Sequence, residues 1–329
     1  MTRVAAIDCG TNSIRLLVAD VDAESGTLVD LDRRMIIVRL GQGVDRTGRL
    51  APEALERTFA ACREYAAVIK DLGAETVRFV ATSASRDAEN RDDFVRGVLD
   101  ILGVEPEVIT GDAEAEFSFT GATRSLAGRT DLDEPYLVVD IGGGSTEFVV
   151  GEEHSRPSPT TLNAGATRHP LSLAARSVDI GCVRLTERHA PSSPATPEQI
   201  AAIRADIDAA LDLAAETVPI GEARTLVGLA GSVTTVAGIA LGLQRYDSTR
   251  IHHSRISYEQ VEEVTTMLLN ATHDERAAIG VMHPGRVDVI QAGALVLLTI
   301  MQRIGAREVV VSEHDILDGI AYKAAEGWI

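Results

Sequence analysis

The sequence predicts an α/β protein built from two related halves that face each other across a cleft, and two observations carry that prediction. The first is a turn written twice. Asp8-Cys9-Gly10-Thr11-Asn12-Ser13 stands near the start, and Asp140-Ile141-Gly142-Gly143-Gly144-Ser145 stands further on. Each copy follows an apolar run and leads into another, at residues 14–18 and 148–150, so each is a strand-turn-strand unit. The second is the alternation of strand-like and helix-like patterns over the first 110 residues, the order of mixed α/β layers. One Asp-x-Gly turn is an ordinary hairpin feature, because Gly and Asp favour turns. Two copies with Asp, Gly and Ser at matching offsets point to a duplicated domain.

In chain order, residues 4–7, 14–20 and 35–40 read as strands. Residues 52–71 read as an amphipathic helix, with Pro52 and Glu53 suiting its start. A strand at 77–81, a helix at 91–102 and a short strand at 108–109 follow, and then a helix at 113–126. Pro135 precedes the strand 136–140, which delivers the second turn. Beyond it, 156–159 and 191–197 read as loops, 197–216, 233–243 and 257–270 as helices, 225–230 and 309–312 as strands, and 316–326 as a closing helix. The crossover between halves falls near residue 125. The apolar run 292–301 is too short to span a bilayer and reads as a buried helix.

A length of 329 residues and 45% hydrophobic content suffice for two cores. The N-terminus enters a strand pattern at once and carries no signal-peptide pattern, so a soluble, cytoplasmic protein is expected, with no membrane partner. Cys9, Cys62 and Cys182 are too few and too widely spaced for a disulfide framework or a zinc site, and read as reduced thiols. A net charge of −18 argues against a general nucleic-acid binder. A polyanionic ligand would need local arginines to overcome that field.

The repeated turns can hold phosphate. Glycine lets the backbone approach a ligand, successive N–H groups form an anion nest, and hydroxyls add donors, so Gly10, Thr11, Asn12, Ser13, Gly142, Gly143, Gly144 and Ser145 are candidate phosphate ligands. The Asp entering each turn cannot bind phosphate directly but can hold a hard cation or a water. A third small-residue turn, with Gly231 and Ser232, lies between a strand and a helix, where free N–H groups meet a helix dipole. Gly41-x-Gly43 completes no dinucleotide spacing and reads as a turn, and no P-loop lysine motif is present. His252 and His253 are expected to diverge as neighbours and are set aside as metal ligands.

Asp8-Cys-Gly-Thr-Asn-Ser-Ile-Arg-Leu16, Ala81-Thr-Ser-Ala-Ser-Arg-Asp-Ala-Glu-Asn90, Gly111-Asp-Ala-Glu-Ala115, Asp140-Ile-Gly-Gly-Gly-Ser-Thr-Glu147, Gly181-Cys-Val-Arg-Leu-Thr-Glu187, Gly228-Leu-Ala-Gly-Ser232 and Ser312-Glu-His-Asp-Ile-Leu-Asp-Gly319 resemble, in order along nearly the whole chain, the exopolyphosphatase and guanosine pentaphosphate phosphohydrolase family. The resemblance implies two ribonuclease-H-like domains of the actin-like ATPase superfamily. It places the first at 1–125 plus about 315–329, the closing helix returning to pack on it, and the second at 126–314, with no additional C-terminal helical domain. It puts the catalytic base on Glu114, with Ala113 replacing the acid that usually precedes it. It also matches Asp140, Gly142 and Glu147 to active-site positions, and Arg86 to an arginine that contacts phosphate.

Hydrolysing a terminal phosphoanhydride needs an in-line water, a carboxylate to orient or deprotonate it, donors for the phosphate oxygens and usually Mg²⁺. Glu114, on a helix start facing the cleft, is the candidate base, and Glu116 should point elsewhere. Asp140, Glu147 and Asp8 form the candidate set for Mg²⁺, or Mn²⁺, or for positioning water. The leading expectation is an exopolyphosphatase acting on short inorganic polyphosphate; hydrolysis of pppGpp, or a sensor of ppGpp, ADP or ATP with little turnover, stays open. A homodimer is expected from the family's habit of pairing.

Overall fold

The computed structural model describes residues 1–152 and 173–327; the loop expected at 156–159 lies outside them. The strands are β1 (Thr2–Cys9), β2 (Ser13–Asp22), β3 (Thr27–Ile37), β4 (Thr76–Ala81), β5 (Glu107–Val108), β6 (Tyr136–Ile141), β7 (Thr146–Gly151), β8 (Ala174–Val178), β9 (Thr225–Leu229), β10 (Arg255–Ser257) and β11 (Glu308–Val311). The helices are α1 (Val44–Thr47), α2 (Pro52–Leu72), α3 (Ser83–Asp87), α4 (Arg91–Leu102), α5 (Gly111–Arg124), α6 (Cys182–His189), α7 (Pro197–Ala215), α8 (Ala230–Ala240), α9 (Ser248–Ile251), α10 (Tyr258–Asn270), α11 (His273–Ala277), α12 (Ile290–Ile304) and α13 (Ile316–Ala325).

Local chemistry sets the helix ends. Pro52 opens α2, and Gly73 closes it at φ 67, a left-handed backbone that glycine adopts without a Cβ clash. Capping boxes start α7 at Thr196 with Gln199, and α10 at Ser257 with Gln260. The run from Ile290 to Met301 in α12 is buried throughout, as its lack of charge requires.

Among the described residues the strands form two sheets, ordered β3-β2-β1-β4-β5 and β10-β11-β9-β6-β7-β8. Their central parts are the same. An antiparallel three-stranded meander, β1-β2-β3 or β6-β7-β8, continues through its first strand into parallel neighbours, β4 and β5 or β9 and β11. These are the two ribonuclease-H-like units, and the repeated turn is the first hairpin of each. The hairpins close with the same bond at the same offset, Gly10 N–H to the Ser13 carbonyl at 2.9 Å and Gly142 N–H to the Ser145 carbonyl at 3.1 Å.

Each sheet carries helices on both faces. Residues of α2 and α4, including Cys62, Tyr65, Phe94 and Val98, pack on one face of the first sheet, and Leu317, Ile320 and Ala321 of α13 pack on the other. In the second half, α7, α8, α10 and α12 build the largest core, while Ala115, Phe119 and Ala122 of α5 cover the opposite face. The inner helices α5 and α13 then cross each other almost backbone to backbone. A Cβ on Gly121 would lie 1.8 Å from the Asp315 carbonyl oxygen, and one on Gly319 would lie 2.1 Å from that of Phe117.

Gly121→Ala is therefore expected to destabilise the protein by about 3 kcal/mol or more, because backbone rather than a flexible side chain must yield. Gly221→Ala, whose Cβ would meet nothing within 4 Å, should stay within about 0.5 kcal/mol of wild type. Chemical denaturation of the two variants measures the difference.

Candidate active site

The two hairpin turns, the third turn and the start of α5 wall one cavity of about 100 Å³. Its lining includes Asp8, Gly10, Thr11, Asn12, Ser13, Glu114, Asp140, Gly142, Gly143, Ser145, Gly231 and Ser232, so the structure brings together most of the residues singled out in sequence. Gly144 sits where the turns interlock. A Cβ there would come within 2.6 Å of both the Ser83 and Thr11 hydroxyl oxygens, and those hydroxyls hydrogen-bond each other at 2.9 Å.

The same strand register holds opposite charges in the two hairpins. Asp8 lies across from Arg15, and Asp140 across from Glu147. In the first hairpin Asp8 accepts from Arg15 Nε and Nη2 at 2.9 and 2.7 Å, and Arg15 also binds Asp315, the N-cap of α13. In the second, like charges face each other on a buried sheet. Ser118 donates to Asp140 at 2.7 Å and Ser177 to Glu147 at 2.7 Å, but neither carboxylate has an ion-pair partner among the described residues.

Glu114 sits in the first turn of α5, which Thr110 caps by accepting from Ala113 N–H at 3.2 Å. Glu114 is 8% exposed, and its carboxylate accepts from Arg86 Nη1 at 3.1 Å; Arg86 also donates to the Ile109 carbonyl. Burial pushes the Glu114 carboxyl up to about 8 against the opposing pull of Arg86, with Asp140 and Asp8 adding to the rise. Burial and Asp315 bring Asp140 up to about 6. Glu147 is driven well above the carboxylate range by burial and by Glu114 and Asp140, and Asp8 is raised by burial despite Arg15. Glu116 points away to the surface near Lys323, as expected of a residue two positions along a helix.

Several expectations need correction. Asp8, Asp140 and Glu147 do not form a three-carboxylate metal cluster: no group of three or more His, Cys, Asp or Glu side chains able to hold a metal occurs among the described residues, and Asp8 Oδ2 is taken by Arg15. The Gly10 and Gly142 N–H groups close their own turns, so they are not free for phosphate. Arg86, expected to contact phosphate, donates instead to the candidate base Glu114. His252 and His253 do not diverge. Their rings stack at 3.6 Å because His253 turns back at φ 60.

Sequence reasoning assigned no role to three residues that matter. Arg15 was detectable, since it stands at the offset in the first repeat that Glu147 occupies in the second. Ser118 lies one helical turn after Glu114 and shares its face. Arg286 carried no local signal. Its guanidinium lines the cavity beside Gly231, donates to Thr235 Oγ1 at 3.3 Å and Met35 Sδ at 3.4 Å, and has no carboxylate partner among the described residues. Burial lowers its pKa. A desolvated cation in this position is a ready anion site.

A second cavity of about 460 Å³ adjoins the first and shares Arg15, Met35, Ala230, Gly231 and Arg286 with it; Arg33, Arg34, Tyr246 and Met282 complete much of its wall. Ala230, at the junction, is held at φ 67, a strained conformation for a residue with a Cβ.

The comparisons with known proteins agree with the motifs. The model of the Ppx/GppA phosphatase family matches residues 17–326. A relative named Exopolyphosphatase 2, from Mycobacterium tuberculosis, is 48% identical over 99% of this chain and 99% of its own length. A crystal structure described as an exopolyphosphatase-like protein is 43% identical, covers all of both chains and superposes with a TM-score of 0.90. A guanosine-5'-triphosphate,3'-diphosphate pyrophosphatase from Photobacterium profundum is 29% identical over 97% of this chain but only 58% of its own length.

The raised pKa of Glu114 has a consequence for stability. The folded state keeps a proton that the unfolded chain releases near pH 4.5. The group's favourable contribution is thus complete below about pH 4.5, declines as pH rises and is gone above about 8. In metal-free buffer Glu114→Gln should gain on wild type between pH 5 and 8, by on the order of 1–3 kcal/mol at the upper end, read from urea denaturation at each pH.

Proposed function

This chain belongs to the Ppx/GppA phosphatase family, and on that premise we propose that it is an exopolyphosphatase releasing terminal orthophosphate from inorganic polyphosphate. The observation that carries the proposal is a buried carboxylate, Glu114, in a small cavity walled by both glycine turns. Attack of water on a terminal phosphorus needs little covalent help from protein and much positioning and charge stabilisation. Thr11, Ser13, Gly143, Ser145 and Ser232 supply hydroxyls and backbone N–H groups around the cavity, and Arg286, which has no carboxylate partner among the described residues, supplies positive charge. Glu114 orients the water and accepts its proton. Arg86, which donates to Glu114 at 3.1 Å, favours the deprotonated carboxylate that a general base requires, against the burial that raises its pKa.

Mg²⁺ or Mn²⁺ belongs to the proposal. Asp140 and Glu147 are all-oxygen donors with incompletely balanced charge, which fits a hard cation held by one or two carboxylates and the substrate's own phosphates rather than by a protein cage. Such an ion, when bound, neutralises phosphate charge.

Hydrolysis of pppGpp is the second reading. The wider cavity favours it, because Tyr246, Met35 and Met282 offer apolar and aromatic surface for a nucleoside beside Arg15 and Arg286. No helix among the described residues is long and apolar enough to cross a membrane. A homodimer is the proposed assembly, checked by light scattering at working concentration.

The test is phosphate release, with Mg²⁺, from short polyphosphate, long polyphosphate, pppGpp and ATP in parallel. Short polyphosphate should be the best substrate. Glu114→Ala should lower kcat by about 10²–10⁴, while Glu116→Ala should match wild type. Equal losses in the two variants would remove Glu114 from its role, and release confined to pppGpp would establish the second reading.

A further inference from the structure

One arginine outside the cavity ties the two halves together across its rim. Arg184 of α6 donates through Nε to the Gly144 carbonyl at 2.7 Å, through Nη1 to Asp45 at 2.6 Å and through Nη2 to Asp87 at 2.5 Å. Its side chain is 12% exposed. Gly144 belongs to the second hairpin turn, Asp45 to α1, and Asp87 to α3, so one guanidinium binds three separate segments from both halves. Neighbours on α6 extend the contact. Glu187 accepts from Gly43 N–H at 3.0 Å, and Arg188 reaches Asp45 at 3.2 Å as well as Asp206.

None of Arg184, Asp45 and Asp87 lines the cavity that holds Glu114. What they hold does. Asp87 closes the helix that carries Ser83, which packs on Gly144 and Thr11, and Arg86, which binds Glu114. With the clasp shut, the two turns are in van der Waals contact, and a Cβ on Gly143 would lie 3.0 Å from Thr11 Cβ.

We propose that Arg184 is a positioning residue for the reaction, a clasp that sets the two turns and α3 in register around Glu114. The inference rests on the hydrolase reading above, although the clasp itself is a statement about the two halves. A planar guanidinium with three simultaneous acceptors suits the task, since each bond fixes its orientation for the others.

The experiment compares Arg184→Gln, Asp45→Asn/Asp87→Asn and the triple variant, by polyphosphate hydrolysis and by small-angle scattering without substrate, once circular dichroism has shown each folded. Each of the first two should lower kcat about tenfold or more with a smaller change in KM, because the cavity's own ligands are intact. The triple variant should fall no further than about twofold below them, because all three changes break one device. Scattering should report a larger radius of gyration for Arg184→Gln than for wild type. Activity within twofold of wild type, multiplicative losses in the triple variant or unchanged scattering would overturn the clasp. A wild-type protein that releases no phosphate would instead overturn the hydrolase reading, leaving scattering to decide whether Arg184 holds the halves together.

Discussion

The crossing of α5 and α13 is the contact on which the rest of the site depends. Gly121 meets the Asp315 carbonyl and Gly319 meets that of Phe117, so the two helices touch through backbone and have little freedom in how they approach. Each helix lies on a different sheet, which makes the crossing the joint between the halves. Its functional weight comes from what the helices carry. The first turn of α5 holds Glu114, and the next turn holds Ser118, the hydroxyl on Asp140. The N-cap of α13 is Asp315, the second anchor of Arg15. Moving one helix by the width of a methyl group would displace the candidate base, a hydroxyl on the opposite carboxylate and the arginine that neutralises Asp8.

Duplication built the site, and one substitution in register made it asymmetric. With Arg15 opposite Asp8, the first hairpin is an internally neutralised scaffold. With Glu147 opposite Asp140, the second leaves two buried carboxylates without an ion-pair partner among the described residues, of which Asp140 lines the cavity, and burial drives both towards their protonated forms. Such an arrangement costs folding free energy and is retained where the charge has a use. The difficulty is that the proposed substrate is also an anion, in a chain of net charge −18. Arg286, which lines the cavity without a carboxylate partner among the described residues, meets that difficulty locally, at a distance where a fixed positive group outweighs a screened surface field.

Much of this was legible in sequence, and the misses have physical causes. The helix 91–102 matches α4, and 52–71 falls one residue short of α2, because apolar period, a helix-starting proline and terminal glycines all agree there. The strand expected at 35–40 instead runs from Thr27 to Ile37, since Asp30, Asp32, Arg33 and Arg34 hide the pattern of an edge strand that need not bury either face. The helix expected from 233 begins at Ala230, because Gly231 and Ser232 read as turn residues although they form the first turn of α8. The phosphate turns were visible as a repeat, but which N–H groups remain free depends on hydrogen bonds that close the turn and leave no trace in composition. Arg286 acts through neighbours distant in sequence, so a single chain read along its length gives no local sign of it, whereas Arg184 stands inside the motif at 181–187 and only its role was hidden.

The two cavities together give the proposed chemistry its direction. The inner one, at about 100 Å³, is closed off where the glycine turns interlock, while the outer one, at about 460 Å³, opens beside it past Arg15 and Arg286. A linear chain of phosphates entering such a pair of spaces can place its end against Glu114 but cannot run on through the contact between Thr11, Ser83 and Gly144. On the proposed reading, that contact favours attack at the terminal phosphorus over attack within a chain. The same geometry accounts for why two substrates with unlike bodies can share this family's site. Both present a terminal phosphoanhydride to the inner cavity, and they differ only in what the outer one must hold.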